Sequence, residues 1–181
     1  MIEEVAIGGV GGQGVLLIGQ LLAHAGVLED KEVCYVPSYG TEARGGHVSC
    51  MVSISSQQVD SPILETFDTL MAFEEKALRR FGEKIKEQGL IIWNSSLIKQ
   101  VPPNQNIKTI EVNLSIVSKV LGNSQMGNMI MLGVYTSTKQ TVSRESMREA
   151  IRSYFLRKSS EFADLNLRAF QLGCELITTT Q

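Results

Sequence analysis

Gly9, Gly11 and Gly14 fall at the G-x-G-x-x-G spacing of a dinucleotide-binding turn, inside the run Ile7-Gly8-Gly9-Val10-Gly11-Gly12-Gln13-Gly14. Glycine reaches positive φ without strain and puts no Cβ between backbone and ligand. A helix that starts just after such a turn offers unpaired N–H groups and the positive end of its dipole to an anion. A phosphate-bearing ligand is the first hypothesis, although the pattern alone does not identify it. Nicotinamide enzymes add an acid at the carboxyl end of the second strand, where it holds ribose hydroxyls. Here Glu29, Asp30 and Glu32 stand before that strand or at its start, and its end reads Val36-Pro37-Ser38. No carboxylate for ribose and no basic group for a 2′-phosphate is present there, which argues against NAD(P). No Lys-Ser/Thr pair follows the last glycine, so the run is not a P-loop. Two other readings stay open: a turn that only lets the first helix pack closely on the sheet, and a loop pressed against a partner.

Tyr39-Gly40-Thr41-Glu42-Ala43-Arg44-Gly45-Gly46 is the second candidate. A strand-end loop in an open α/β sheet lies on the same carboxyl edge as the first turn. Glu42 and Arg44 are too close in sequence for a helical i,i+4 pair. They read as a local salt bridge or solvated turn charges, or Arg44 is a planar bidentate donor aimed at phosphate or a partner carboxylate. His47 follows this loop, and a base role would require a proton within hydrogen-bond reach. His24 reads as a surface or interface histidine. Asn128 opens a helix-like segment as a candidate N-cap or site contact, and Asn166 reads as a bond to loop backbone. Cys34, Cys50 and Cys174 form no C-x-x-C and read as free buried thiols; no metal site is expected. Met126, Met129 and Met131 read as adaptable core. Lys76, Arg79, Arg80, Lys84 and Lys86, interspersed with Glu74, Glu75, Glu83 and Glu87, read as a solvated helix face, with docking of an acidic protein as the alternative.

These residues need a scaffold. A strand is expected over 5–7, then a helix over 14–25 stopped by Gly26. A strand over 32–36 ends at Pro37, and 48–55 alternates with Val48, Cys50, Val52 and Ile54 on one face. Ser61-Pro62 is a turn, and 69–73 a short strand. The spacing of Ala77, Leu78, Phe81 and Ile85 predicts a helix over 74–87, ended by Gln88-Gly89. The apolar run 90–93 suits a central parallel strand, and a further strand over 107–112 follows the Pro102-Pro103 break. The last third is helical: 114–121, 126–135, 144–155 capped by Ser143, and 160–177. Alternating strands and helices give a three-layer α/β/α sandwich with a mostly parallel, mixed sheet, a Rossmann-like glycine loop after strand 1 and a helical C-terminal third. No linker or repeat divides it, so 1–181 reads as a single domain.

The chain has 181 residues, 43% of them hydrophobic, and a formal net charge of −2, which suits a soluble domain with a sizeable core. No excess of Lys and Arg points to nucleic acid. Glu3 and Glu4 precede the glycines without a basic n-region, unlike a signal peptide. No apolar run approaches the roughly 18 residues that span a bilayer. The expected location is cytoplasmic.

Gly8-Gly9-Val10-Gly11-Gly12-Gln13-Gly14, Tyr39–Gly46 and Ser61-Pro62 together resemble the gamma subunit of 2-oxoacid:ferredoxin oxidoreductases. The resemblance continues through Gly127-Asn128-Met129-Ile130-Met131-Leu132-Gly133 and Leu165-Asn166-Leu167-Arg168-Ala169-Phe170-Gln171-Leu172-Gly173, so it covers nearly the whole chain. The wording of the second loop is most similar to 2-oxoglutarate-type subunits, and branched-chain 2-oxoacid enzymes are close to it. The family decarboxylates a 2-oxoacid on thiamine diphosphate, passes electrons through iron–sulfur clusters to ferredoxin and forms an acyl-CoA. The resemblance implies that thiamine diphosphate, Mg and 4Fe-4S clusters sit on alpha and beta partners, often with a ferredoxin-like delta subunit. This sequence has no Gly-Asp-Gly and only three scattered cysteines, so it is expected to be a non-autonomous subunit with no catalytic residue of its own. The implied ligand is coenzyme A, held through Gly9, Gly11, Gly12, Gln13, Gly14, Glu42, Arg44 and Asn128, with the backbone N–H groups of Gly11, Gly12, Gln13 and Gly14 cradling phosphate. Self-association of the isolated chain stays open. The alternatives are a stand-alone Rossmann-type NAD(P) or flavin oxidoreductase and a ligand-free structural interaction subunit.

Overall fold

The computed structural model describes residues 2–39, 46–57 and 65–178. Its six strands are β1 (Ile2–Val10), β2 (Glu32–Tyr39), β3 (His47–Ser55), β4 (Phe67–Ala72), β5 (Ile85–Asn94) and β6 (Lys108–Val112). Its helices are α1 (Val15–Val27), α2 (Glu75–Phe81), α3 (Leu114–Lys119), α4 (Gly127–Lys139), α5 (Arg144–Leu156) and α6 (Ser160–Thr178). The sheet order is β2-β3-β1-β4-β5-β6. β3 is antiparallel to both neighbours and the β1–β4, β4–β5 and β5–β6 pairs are parallel, so β3 alone opposes the other strands. Val5, Ala6 and Ile7 are wholly buried in the central strand, as a strand covered on both faces requires.

The two faces are unequal. One packs Val5, Ile7, Val52 and Ile92 against α1, α4, α5 and α6 in a single large core. The other packs Ala6, Leu70, Ala72 and Ile91 against α2, with Ile98, Val101 and Ile107 from the β5–β6 connection. Helices thus lie on both sides of a mixed sheet, as the sequence pattern implies.

Three expected boundaries move. β2 runs through Pro37 to Tyr39, because an edge strand tolerates a proline that donates no ladder bond. The helix expected over 74–87 stops at Phe81. A 3₁₀ turn, Gly82–Lys84, follows, and Ile85 already begins β5. Gln88, at φ 62°, marks an irregularity within β5, where the register with β4 shifts between Phe67 and Thr69. Gly26 lies inside α1 rather than stopping it; a Cβ there would come 2.7 Å from Val33 Cγ2, so its role is packing on β2.

α4 is the buried core helix: every residue from Asn128 to Ser137 is buried. It meets α6 backbone to backbone. A Cβ on Gly133 would collide with the Phe170 carbonyl oxygen, and one on Gly173 with the Ile130 carbonyl oxygen. α5 is fixed differently. Ser143 caps it as expected, its Oγ accepting from Ser146 N at 3.0 Å. The Ser143 N–H donates to Glu29 Oε1 at 2.7 Å, and Lys31 Nζ lies 2.8 Å from the other Glu29 oxygen. Burial works to raise the Glu29 pKa, but the bonds from Lys31, Ser143 and Ser146 outweigh it and hold the carboxyl at about 2. Among the described residues no helix is long and apolar enough to cross a membrane.

Gly173→Ala should cost about 3 kcal/mol in urea unfolding, since backbone atoms cannot yield as a side chain would. Gly82→Ala should stay within about 0.5 kcal/mol, because its Cβ would meet only the Leu78 side chain, at 3.4 Å from Cδ1 and 3.9 Å from Cγ. Glu29→Gln should destabilise the fold by about 1 kcal/mol at neutral pH. Because the folded pKa is depressed, this contribution is complete above the ordinary value of 4.5 and fades as pH falls towards about 2. Unfolding curves of wild type and variant should therefore converge in that window.

Candidate functional site

The carboxyl ends of β1, β4, β5 and β6 share one edge of the sheet, where β2 also ends and β3 begins. The change of connection direction around β1 makes a crevice there, the usual ligand position of open α/β sheets. β1 ends at Val10, and 11–14 turn into α1. Gly12 at φ 96° and Gly14 at φ 73° adopt the left-handed conformations that only glycine enters cheaply.

Half of the turn's four expected amides are spent on backbone carbonyls of this chain. Gly11 N donates to Gly46 O at 3.1 Å and Gln13 N to Val10 O at 3.2 Å. The Gln13 side chain folds back, Oε1 accepting from Val10 N at 2.8 Å. Gln13 is therefore a brace for the end of β1, and the expectation that all four amides cradle an anion is corrected. The N–H groups of Gly12 and Gly14 have no partner among the described residues. Gly9 is needed for packing: a Cβ there would collide with Gln13 Oε1 and sit 2.8 Å from Val15 Cγ2.

The bond from Gly11 to Gly46 brings the second loop's last glycine against the first turn, on the edge expected for it. Glu42, Arg44 and the Ser61-Pro62 turn lie outside the described residues. His47, next in the chain, sets Nδ1 3.0 Å from Glu74 Oε1. Glu74 Oε2 accepts from Lys76 N at 2.9 Å and so caps α2. The sequence pattern assigns Glu74 to a solvated face; its N-cap position just after an apolar strand is the signal that marks it. His47 Nε2 is buried without a partner, a condition that costs about 1–3 kcal/mol.

Beside the turn lies a cleft of about 250 Å³, lined by Gly12, Gln13, Phe73, Asn94, Leu97, Leu114, Ser115, Ser118, Gln125, Gly127 and Asn128. None of these side chains is charged. Asn128 is not an N-cap. Met126 holds that place, and Asn128 Oδ1 accepts from the adjacent Met129 N at 2.9 Å within the first turn of α4. Its Nδ2 lies against Gly14, where any Cβ would collide with it. The positive ends of α1 and α4 therefore meet at this cleft. Asn94, not singled out by the sequence pattern, closes its floor: Nδ2 donates to Phe73 O at 3.2 Å, and Oδ1 accepts from Ser96 N at 3.1 Å and Leu114 N at 3.4 Å. A polar residue ending the apolar run 90–93 is the signal that could have found it. The arrangement is rich in hydrogen-bond donors and suited to binding and orienting a ligand.

The remaining candidates are structural. Cys34, Cys50 and Cys174 are free; the last two are buried and Cys34 is half-buried. Burial pushes the Cys50 thiol up to about 12, which makes it a poor nucleophile. His24 is exposed on α1. Asn166 Nδ2 donates to Phe162 O at 2.8 Å, the backbone of its own helix rather than a loop. Met126, Met129 and Met131 are core. Lys86 belongs to β5, not to a helix, and pairs with Glu4 at 2.6 Å and Asp68 at 3.0 Å.

Comparison with known proteins gives the lineage. The pyruvate ferredoxin/flavodoxin oxidoreductase family model matches residues 4–176. Ketoisovalerate oxidoreductase subunit VorA of Methanothermobacter marburgensis is 36% identical over 173 residues, 95% of this chain and 36% of its own length. The chain thus spans only about a third of that relative. 2-Oxoglutarate synthase subunit KorC of Methanocaldococcus jannaschii is 32% identical over 97% of this chain and 94% of its own. Among solved structures, the keto/oxoacid ferredoxin oxidoreductase gamma subunit from Geobacter sulfurreducens superposes with a TM-score of 0.80 at 31% identity, covering 96% of both chains. The 2-oxoglutarate:ferredoxin oxidoreductase of Magnetococcus marinus, with 2-oxoglutarate, coenzyme A and succinyl-CoA bound, shares the fold at TM-score 0.89 and 23% identity, over 98% of this chain and 31% of that one. Matched almost from end to end by the family model and by a gamma subunit, this chain belongs to the pyruvate ferredoxin/flavodoxin oxidoreductase family.

Proposed function

We propose that the chain is the gamma subunit of a 2-oxoacid:ferredoxin oxidoreductase and that its glycine turn holds a phosphate of coenzyme A. The observation that carries this reading is the pair of unspent amides, Gly12 and Gly14, at the head of α1 beside an uncharged cleft. Coenzyme A brings a pyrophosphate and a 3′-phosphate, and it needs no acid on β2, whose end Val36-Pro37-Ser38-Tyr39 has none. Arg44, with Glu42 near it in the sequence, would contribute a charge or fix the second loop's edge, and Asn128 lies against Gly14. Support also comes from the Magnetococcus marinus enzyme, which shares this fold and has coenzyme A bound.

The reaction would be oxidative decarboxylation of a 2-oxoacid to an acyl-CoA, with ferredoxin reduced. Alpha and beta partners would carry thiamine diphosphate, Mg and the 4Fe-4S clusters, a delta subunit would relay electrons, and the assembly would work in the cytoplasm. The second-loop wording favours 2-oxoglutarate, while the 36% identity to a ketoisovalerate enzyme subunit favours a branched-chain acid. Rates of the purified assembly with these two acids decide between them.

In the assembled enzyme, Gly12→Val should raise the KM for coenzyme A about tenfold or more with little change in saturated rate, as expected for lost uniform binding. A β-branched residue cannot readily hold φ 96°. An unchanged KM removes coenzyme A from this turn. Arg44→Ala should raise the same KM. Loss of assembly on gel filtration, with normal coenzyme A kinetics in the surviving complex, would instead make the two loops a subunit interface.

A further inference from the structure

Helices α5 and α6 and the end of α3 enclose a shallow groove of about 560 Å³ that shares no residue with the cleft beside the glycine turn. Arg148 and Arg152, one turn apart on α5, line it together with Arg168 of α6. Among the described residues none of the three stands within ion-pair distance of a carboxylate. Yet Glu145 and Glu149 precede Arg148 and Arg152 by three residues, and Asp164 precedes Arg168 by four. Those are the spacings at which helices form such pairs. Like charges one turn apart repel instead, so Arg148 and Arg152 weaken α5 where they stand. The acids in the lining are Asp164 and Glu175, and Glu175 Oε1 already accepts from Gln171 Nε2 at 2.9 Å. The rest of the groove is apolar: Val120, 74% exposed, lines it with Leu121, Leu167 and Leu172. No lysine is among the lining residues. Arginine beside aliphatic surface, without lysine, is the make-up of a protein interface, where a weakly hydrated guanidinium meets a carboxylate in a planar pair. A small anion would leave Val120 uncovered. A protein segment with an apolar side chain between carboxylates satisfies both parts of the groove.

We propose that this groove docks a partner subunit through an acidic segment of it, whose apolar side chain covers Val120 while flanking carboxylates pair with Arg148, Arg152 and Arg168. This rests on the chain being one subunit of an assembly, and the test separates the two claims. Tagged chain is purified from its native cells together with the subunits that accompany it. Arg152→Glu combined with Arg168→Glu, both at exposed positions, should raise the dissociation constant of the complex about tenfold or more, read by dilution on gel filtration. Its circular dichroism and thermal midpoint should match those of the wild-type chain. Where they do not, a second variant decides. With Arg168→Lys, a zero-length carbodiimide should join the introduced lysine to an aspartate or glutamate of a co-purified subunit, located by peptide mass spectrometry. A cross-link to a second copy of this chain overturns the partner subunit as occupant. An undiminished complex in the charge-reversed variant, or no cross-link, overturns the docking surface and leaves the assembly standing. Wild-type chain that purifies alone overturns both.

Discussion

The contact of α4 with α6 through Gly133 and Gly173 sets the depth at which α4 lies, and the site depends on that depth. A helix buried from Asn128 to Ser137 has no solvated face to adjust against, so its position follows from its neighbours' surfaces. Carbonyl oxygens of Phe170 and Ile130 occupy the space a Cβ would need, so the axes approach as closely as the backbones permit. Seated that deeply, α4 brings its first turn to the carboxyl edge of the sheet. There Asn128 presses on Gly14 and sets where α1 begins. Two glycines outside the cleft lining thereby bear on where the glycine turn meets α1.

A second constraint acts from the opposite wall. Asn94 ties the ends of β4 and β5 to the start of α3 through three hydrogen bonds, all made by a side chain that is 4% exposed. A satisfied buried amide is rigid, because each of its groups would be costly to leave unpaired. Asn113 extends the wall by capping α3, accepting from Ile116 N at 3.1 Å and from Ser96 Oγ at 2.9 Å. The cleft is thus held between two asparagines, one on each side of the turn.

Much of this was legible where local chemistry decides. The alternation of Val48, Cys50, Val52 and Ile54 marked the apolar face of β3, on which Cys50, Val52 and Ile54 are buried, and Ser143 capped α5, because both depend on neighbours close in sequence. Spacing failed where distant residues decide. Pro37 stays in a strand because β2 is an edge, and Gly26 stays in a helix because β2 needs it to be small. The glycine turn shows the limit most plainly. The family resemblance implies four amides aimed at phosphate, but Gly46, 35 positions after Gly11, takes one and the turn's own Val10 carbonyl takes another. His47 and Glu74 lie 27 residues apart and meet only because β3 and α2 both start at this edge.

The electrostatics of the edge follow a division of labour. Amides and helix ends carry partial charges that are fixed in direction and cannot be lost to protonation, so they orient a ligand. Full charges supply attraction, but one placed inside the cleft would have to be desolvated before any ligand arrived. Here the cleft lining holds no charged side chain. A neutral lining of this kind costs little to keep desolvated. Orientation by fixed dipoles, rather than by side-chain charge, is what this arrangement favours.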